Sequence, residues 1–362
     1  MKLEFNLDVF AAKSPPMLGL DIGTTSVKFV EISEAGKGQY RVEHYVVEPL
    51  PKDAMKEGDI VNSDQVVEAL NEAWKQMGTR VKNVVMSLPS SAVITKKILL
   101  PADLGGLELE SQVESEANQV IPFPLDEVNL DFQVLGPSLG SPNDVEVLLA
   151  AARKEKVEDR VALAEAAGLK ALVMDVESYA TLTAYERMAS LLPGNGAGQT
   201  VVIFDIGANS MHINALSDNE PVYLREHGFG GGQLNYEISR RYGMTTEEAE
   251  TAKRKGTLPE TYEVEVLRPY SETLAMEIGR ALQLFTSSTQ YHKVDHVLLA
   301  GGGAIIPGID EAVSARIGIP TIVANPFSNM SVGGKIRPQQ LASDAPALFV
   351  ACGLAMRRFD QQ

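Results

Sequence analysis

Two segments of the chain carry an aspartate, a glycine and hydroxyl side chains at the same spacing. They are LGLDIGTTSVKFVEI (residues 18–32) and VVIFDIGANSMHINAL (residues 201–216). Asp21 in the first corresponds to Asp205 in the second, and in both segments a glycine follows two residues later and a serine five residues later. Each segment predicts two strands joined by a tight turn, where glycine lets backbone N–H groups approach an anion. A single turn of this kind is common, so it is the duplication that indicates a phosphate site.

The same two aspartates suit a metal ion that accompanies phosphate. Mg²⁺ usually keeps several waters and takes only one or two carboxylate ligands from a protein. Asp21 and Asp205 therefore fit a magnesium ion held directly or through water.

Two later glycine runs are candidates for contact with a ligand. LLAGGG (residues 298–303) is an apolar strand that opens into a turn before a helix, and FGGG (residues 229–232) also precedes a helix. Such turns let a flat base or a sugar approach the backbone. AETAK (residues 249–253) places Glu250 and Lys253 one helical turn apart, and the simplest interpretation of that pair is a surface ion pair.

Composition limits the classes of protein to which the chain can belong. Its 362 residues, 44% hydrophobic and 22% charged, suit two or more globular lobes. A net charge of −16 argues against broad binding of nucleic acid, which needs a basic surface. The single cysteine, Cys352, fits a reducing compartment. No apolar run reaches about 18 residues, and Glu4 and Asp8 interrupt the N-terminal segment, so we expect a cytoplasmic chain without a membrane span or signal peptide.

The elements that position these motifs alternate between strand and helix patterns, which predicts an α/β protein. Residues 62–77 form a helical apolar face that begins at a capping polar residue. Residues 90–170 instead show the order strand, helix, strand, strand, helix, which indicates a small α+β module inserted into the larger fold. Residues 1–15 alternate apolar and polar side chains, a pattern that favours an added strand.

The order of the motifs resembles the actin-like ATPase superfamily. That order is an Asp-x-Gly hairpin, a helix after MDVES, a second hairpin, an Ala-Glu-x-x-Lys helix and a strand ending in three glycines. Within the superfamily, the first hairpin together with NQVIPFPLDEVNLDF (residues 118–132) resembles the PilM family of type IV pilus assembly proteins. The resemblance covers residue 16 to about residue 358, and IPFPLDE (residues 121–127) is its most specific part.

This resemblance implies an α/β, actin-like (ribonuclease H-like) two-lobed ATPase fold with a small inserted α+β subdomain. The expected divisions are a first lobe of residues 16–89, 171–198 and 340–362, an inserted subdomain of residues 90–170, a second lobe of residues 199–245 and 291–339, and a helical subdomain of residues 246–290.

The resemblance also implies ATP and Mg²⁺ between the lobes. Asp21, Glu177 and Asp205 are the candidates for positioning a catalytic water, and the two aspartates are the candidates for Mg²⁺. Slow ATP turnover and binding without turnover both remain open. The residues expected to contact phosphate are Gly23, Thr24, Thr25, Ser26, Lys28, Gly207, Ala208, Asn209 and Ser210, and those expected to contact ribose and adenine are Gly231, Gly232, Glu250, Lys253, Gly302 and Gly303.

The implied partner is the cytoplasmic N-terminal peptide of PilN, a single-span inner-membrane protein. Other pilus-assembly proteins and a homo-oligomer are also compatible with the resemblance. The expected location is therefore the cytoplasm, at the periphery of the inner membrane through partners. A groove between the inserted module and the first lobe would accept an extended peptide, and the acidic residues at 108–116 would favour a basic one.

Three other classes remain as alternatives. An FtsA-like cell-division or cytoskeletal ATPase would share most of the motifs. A sugar-type kinase of the same superfamily needs a carboxylate base, for which Asp126 and Asp175 are candidates by type only. A chaperone of this fold needs a substrate-binding domain after residue ~330, where about 30 residues remain.

Overall fold

A computed structural model of the chain describes residues 15–56, 58–138 and 140–360. The strand predicted within residues 1–15 therefore lies almost wholly outside the described part. The chain opens with β1 (Leu18–Ile22), β2 (Ser26–Gly36), β3 (Gln39–Pro49), β4 (Met55–Lys56), β5 (Asp59–Ile60), α1 (Ser63–Met77) and β6 (Asn83–Leu88). The next region holds β7 (Val93–Pro101), α2 (Gly106–Val120), β8 (Val128–Pro137), β9 (Asp144–Arg153) and α3 (Lys154–Ala166).

The remaining elements complete both lobes. From the end of α3 onward they are β10 (Lys170–Val176), α4 (Glu177–Glu186), β11 (Thr200–Ile206), β12 (Met211–Ser217), β13 (Glu220–His227), α5 (Gly232–Tyr242), α6 (Thr246–Lys255) and α7 (Arg268–Ser288). The last are β14 (His296–Ala300), α8 (Ile309–Ile317), β15 (Thr321–Val323), β16 (Ser331–Val332), α9 (Pro338–Asp344) and α10 (Phe349–Met356). A π-helical turn, Glu263–Leu267, leads directly into α7.

Two sheets repeat one arrangement of strands. The first has the order β10-β6-β1-β2-β3-β16 and the second the order β13-β12-β11-β14-β15. In each, a three-stranded antiparallel meander begins with the strand that ends in Asp-Ile-Gly, and that strand also pairs in parallel with a later strand. The duplicated motif is therefore part of a duplicated lobe.

Helices cover both faces of each sheet, as expected for strands with long apolar runs. The core on one face of the first sheet includes Leu70 of α1 and Leu163 of α3. The second sheet packs against α5, α7 and α8 on one face, and against Tyr185 of α4 and Phe349 of α10 on the other. The helices α4 and α10 thus lie between the two sheets and join the lobes.

The inserted module has its own small core. Its antiparallel sheet has the order β7-β9-β8, and α2 packs on it through Val113 and Ala117. Leu100 and Leu149 from the sheet are buried with them.

Packing differs from the predicted divisions at two places. Leu163 and Ala164 of α3 are buried in the core of the first lobe rather than in the inserted module. Near the C-terminus, β16 pairs with β3, and Phe327 packs with α9 and α10 on the first sheet, although the sequence assigns β16 and Phe327 to the second lobe. Both differences depend on contacts between residues far apart in the chain.

Candidate functional site

The two Asp-Ile-Gly hairpins have the same backbone geometry. The Gly23 amide donates to the Ser26 carbonyl at 3.0 Å, and the Gly207 amide donates to the Ser210 carbonyl at 2.9 Å. The cross-strand neighbour of Asp21 is Lys28, and the corresponding neighbour of Asp205 is His212. Because side chains of directly paired residues lie on one face, each aspartate faces a basic or titratable partner.

Asp21 and Lys28 form a buried ion pair at the end of β1. The Lys28 Nζ lies 2.7 Å from the Asp21 Oδ2, and both side chains are almost wholly buried. Burial by itself lowers the pKa of Lys28, but the carboxylates of Asp21, Asp205 and Glu177 outweigh it and hold that pKa above its ordinary value. The lysine therefore stays charged, and it faces acids from both lobes.

Glu177 is the first residue of α4 and enters the same site. Burial raises the pKa of its carboxyl group, and burial likewise raises the pKa of Asp205. The His212 Nδ1 lies 3.7 Å from the Glu177 Oε2, and its Nε2 lies 3.7 Å from the Glu226 Oε1. A histidine thus sits between two carboxylates, one of which belongs to the helix that joins the lobes.

His212 is not among the residues predicted from the sequence. The signal was present, because His212 occupies in the second hairpin the position that Lys28 occupies in the first.

The tips of the hairpins offer backbone donors. Among the described residues, the amides of Thr24, Thr25, Ala208 and Asn209 make no hydrogen bond with another backbone group. Ser26, in contrast, is buried beside the turn, and its carbonyl is occupied. Free amides on glycine turns are the groups that bind phosphate oxygens, so this part of the predicted set is available for an anion.

The FGGG turn contacts the second hairpin directly. The Gly231 amide donates to the Gly207 carbonyl at 2.9 Å, and the Gly232 amide donates to the Ala208 carbonyl at 2.7 Å. These two predicted residues therefore support the hairpin with their amides. Beside them is a cavity of about 460 Å³, and the residues that line it are Ala208, Asn209, Gly232, Gln233, Tyr236 and Glu237.

The three glycines that follow β14, residues 301–303, lie in three different environments. Gly301 has φ +83° and ψ 168°, and a Cβ there would overlap the Asp205 Oδ1 and the Ile206 carbonyl oxygen. Gly303 packs on Ile206, whereas Gly302 is exposed and has open space beside it. The sequence identified Gly302 and Gly303, but Gly301 is the residue that allows the strand to approach Asp205.

Glu250 and Lys253 form an ion pair, as expected, but the pair also reaches a second helix. Asn235 of α5 donates to the Glu250 Oε2 at 2.7 Å and accepts from the Lys253 Nζ at 2.8 Å. Burial by itself raises the pKa of Glu250, but Lys253, Arg254 and Asn235 together lower it to about 2. The network holds α6 against α5, next to the glycine turn.

The described side chains do not form a metal-binding cage by themselves. No group of three or more His, Cys, Asp or Glu side chains within residues 15–56, 58–138 and 140–360 is placed to hold an ion. Asp21 and Asp205 instead come from opposite lobes. They fit an ion such as Mg²⁺ that keeps its waters and takes its other ligands from phosphate.

The two carboxylates considered for a sugar kinase lie elsewhere. Asp175 is buried, and its Oδ2 lies 3.2 Å from the Arg357 Nε near the C-terminus. Asp126 is exposed in the inserted module, where its carbonyl accepts a hydrogen bond from Lys154. Neither joins the cluster formed by the hairpins.

In the described part of the chain, no helix is both long and apolar enough to cross a bilayer.

Duplicated sheets, facing hairpins and helices between the lobes define an actin-like ATPase fold, as predicted. Comparison with known proteins gives the family. Residues 19–359 match the family described as type IV pilus assembly protein PilM, and the chain belongs to that family. The resemblance seen in the sequence is thereby confirmed.

Solved structures agree with this assignment. A structure titled PilM-PilN type IV pilus biogenesis complex is 28% identical in sequence and superimposes with a TM-score of 0.78, covering 96% of this chain and 100% of that one. The ethanolamine utilization protein EutJ from Carboxydothermus hydrogenoformans is 16% identical, with a TM-score of 0.56, covering 94% of this chain and 89% of that one. This second likeness shows the fold alone.

A curated relative matches over a shorter stretch. The cell division protein FtsA of Enterococcus faecalis (strain ATCC 700802 / V583) is 37% identical over 84 residues. The match spans 22% of this chain and 18% of FtsA, which is less than a fifth of that relative's length.

Proposed function

We propose that this chain binds ATP with Mg²⁺ between its lobes and binds the cytoplasmic N-terminal peptide of PilN, and so links the inner-membrane pilus complex to the cytoplasmic side. The observation that carries the nucleotide part is the pair of equivalent hairpins, whose acids and whose lysine interact across the cleft. The observation that carries the partner part is the likeness to the PilM-PilN complex along the whole chain.

The residues of the cleft fit a polyphosphate. The free amides of Thr24, Thr25, Ala208 and Asn209 are hydrogen-bond donors for phosphate oxygens, and Lys28 supplies a buried positive charge. Mg²⁺, when bound, would neutralise charge on the phosphates. The remaining predicted contacts are assigned by their position around the glycine turns. Gly207 and Ser210 lie at the second hairpin tip and are assigned to phosphate. The residues assigned to ribose and adenine are Gly231, Gly232, Glu250, Lys253, Gly302 and Gly303.

Hydrolysis of ATP would depend on Glu177. The His212 Nδ1 lies 3.7 Å from this buried carboxylate, which is beyond direct hydrogen-bonding distance, so the carboxylate oxygens can accept a hydrogen bond from a water. Its raised pKa makes Glu177 a better proton acceptor than an ordinary glutamate. Asp21 and Asp205 would orient the water shell of the ion. We propose binding with slow hydrolysis as the activity of this site.

Calorimetry with ATP and Mg²⁺ tests the nucleotide site. The variants are Asp21→Ala and Asn209→Ala, and the control is Asn129→Ala, an exposed asparagine on the edge strand β8. We expect both site variants to lose at least tenfold in affinity, while the control stays within twofold of wild type. Asp21→Ala removes a carboxylate proposed for Mg²⁺, and Asn209→Ala removes a side chain of the cavity beside the second hairpin. Equal affinity in all four proteins would remove the basis for the assignment.

The peptide site is proposed for the side of the first lobe that meets the inserted module. There, β10 is the edge strand of the first sheet and β7 is an edge strand of the module's sheet. The Ser178 amide of α4 donates to the Ser90 Oγ just before β7 at 3.1 Å, so the start of β7 lies beside the helix that follows β10. Leu172 on β10 and Leu99 on β7 are exposed apolar side chains at those edges. Open strand edges bind extended peptides through main-chain hydrogen bonds.

Two matched variants test this location. Leu172→Asp places a charge on the β10 edge, and Val134→Asp places one on β8, the opposite edge of the module. The two native side chains are exposed to a similar degree, 39% for Leu172 and 43% for Val134. We expect the first to weaken binding of a PilN N-terminal peptide at least tenfold and the second to leave it within twofold. The reverse pattern would place the peptide on the far side of the module. Point variants are preferable to deleting residues 90–170, because that deletion removes α3 from the first lobe's core.

A further inference from the structure

A second cavity lies between α7 and α8 in the second lobe. Its volume is about 560 Å³, within the range of about 300–1,000 Å³ that is typical of ligand pockets. Besides residues of the two helices, it is lined by Val294 and Ile319, which come just before β14 and β15. Both strands start at the end of the second sheet opposite the Asp-Ile-Gly hairpin, because His296 of β14 is paired with Val201 near the start of β11. The cavity therefore lies away from the proposed nucleotide site.

Apolar side chains form much of the lining, and two cations lie at the rim. Leu282 and Ile317 belong to the apolar part, and Leu282 is buried. The two arginines that line the cavity, Arg280 and Arg316, are exposed. Arg280 is paired with Glu277, whereas Arg316 forms no ion pair within the described residues. Such a cavity fits a segment that carries an apolar side chain beside acidic ones.

The first turns of α2 carry that combination of side chains. Leu107 is 82% exposed, more than any other large apolar side chain in the described part of the chain. Glu110 and Glu114 follow it at spacings of three and seven residues, so the three side chains lie on one face of the helix. Both glutamates are exposed, and neither forms an ion pair with another residue that the structure describes. We call these three residues the acidic knob.

We propose that the acidic knob of one copy of this chain docks in the cavity between α7 and α8 of a second copy. Leu107 enters the apolar part of the cavity. The two glutamates of the knob then face the two arginines of the rim. Because Leu107 is exposed, it does not fill the cavity of its own chain. The whole chain has 48 acidic and 32 basic residues, so copies repel one another unless local charges of opposite sign meet in this way. The contact needs neither of the ligands proposed above.

The contact joins two different surfaces and is therefore heterologous. A copy that uses its knob still presents a free cavity, and a copy that uses its cavity still presents a free knob. Contacts of this kind generate a closed ring or an open filament. We therefore expect association beyond the dimer, increasing with protein concentration.

Sedimentation velocity over a series of protein concentrations tests the contact. Leu107→Asp places a charge at the centre of the knob, and Arg316→Glu reverses a charge at the rim. The matched controls are Leu191→Asp, at another leucine that is 50% exposed, and Arg225→Glu, at an exposed arginine of β13. We expect wild type and controls to associate alike, and the knob and rim variants to need at least tenfold more protein for the same degree of association. A wild type that stays monomeric at every concentration would overturn the inference, as would knob and rim variants that associate like the wild type.

Mixing the two variants tests the direction of the contact. Leu107→Asp keeps an intact cavity and Arg316→Glu keeps an intact knob, so a pair of unlike variants can form one contact and no further one. We expect a one-to-one dimer in the equimolar mixture and monomers of each variant alone at the same concentration. A mixture that remains monomeric, or that forms larger assemblies, would contradict the proposed contact. Circular dichroism establishes that each variant is folded. If Arg316→Glu does not fold, Arg280→Glu alters the same rim, and the mixture is measured with that variant and interpreted in the same way.

Discussion

Gly301 provides the sharpest test of how the site is built. The residue has φ +83° and ψ 168°, a region of backbone conformation that is essentially restricted to glycine. A Cβ at this position would overlap the Asp205 carboxylate and the backbone carbonyl of Ile206. At Gly302, the next residue, φ is not positive and a Cβ would meet no atom within 4 Å. The two neighbours therefore form a matched pair for Gly→Ala substitution.

The magnitude follows from these two observations. Backbone strain of this kind costs about 1–3 kcal/mol. Displacing a strand carbonyl adds a cost similar to that of an overpacked core, about 1–3 kcal/mol. We therefore expect Gly301→Ala to destabilise the second lobe by about 3 kcal/mol. For a lobe of this size that is a fall in Tm of roughly 6–12 °C. Gly302→Ala should change Tm by less than about 2 °C.

Thermal unfolding followed by circular dichroism measures both variants against wild type. The comparison between the two alanine variants controls for the loss of chain entropy in the unfolded state, because the same methyl group is added one residue apart. Equal Tm values for the two variants would refute the argument that close approach of β14 to Asp205 requires glycine at residue 301.

Three other predictions concern packing, pH and capping. Gly353→Ala should lower Tm by at least as much as Gly301→Ala, because a Cβ on residue 353 would overlap the Ala180 carbonyl where α10 crosses α4. Thermal unfolding of the purified variant tests this. Glu250→Gln should cost about 1 kcal/mol at pH 7, after allowance for partial exposure of the pair. Because the pKa of Glu250 is about 2 when folded and 4.5 ordinarily, the difference from wild type should be complete above pH 4.5 and should vanish as the pH falls toward 2, as urea midpoints at several pH values would show. Thr245→Ala should cost about 1 kcal/mol by removing the hydrogen bond to the Glu248 amide, with Thr245→Ser close to wild type in the same urea titration.

Local patterns determined much of the fold because the forces behind them act over a few residues. The two hairpins follow from apolar strands and from the glycine needed in a tight turn, and their amide-to-carbonyl bonds form within four residues. The cap of α1 by Asn62 and the capping box of α6 by Thr245 and Glu248 are likewise contacts between residues three apart in the chain. The family resemblance extended these local results to the two-lobed fold and to the partner.

Contacts between distant residues were decided only by the tertiary structure. The residues of α3 do not indicate by themselves that Leu163 packs against the first sheet rather than the inserted module. The same holds for His212, which is separated from Glu177 by 35 residues and lies 3.7 Å from it only because β12 and α4 converge at the cleft. Burial then sets the charge properties of that cluster. Burial is a property of the packed lobes, so it cannot be predicted from any short segment of the sequence.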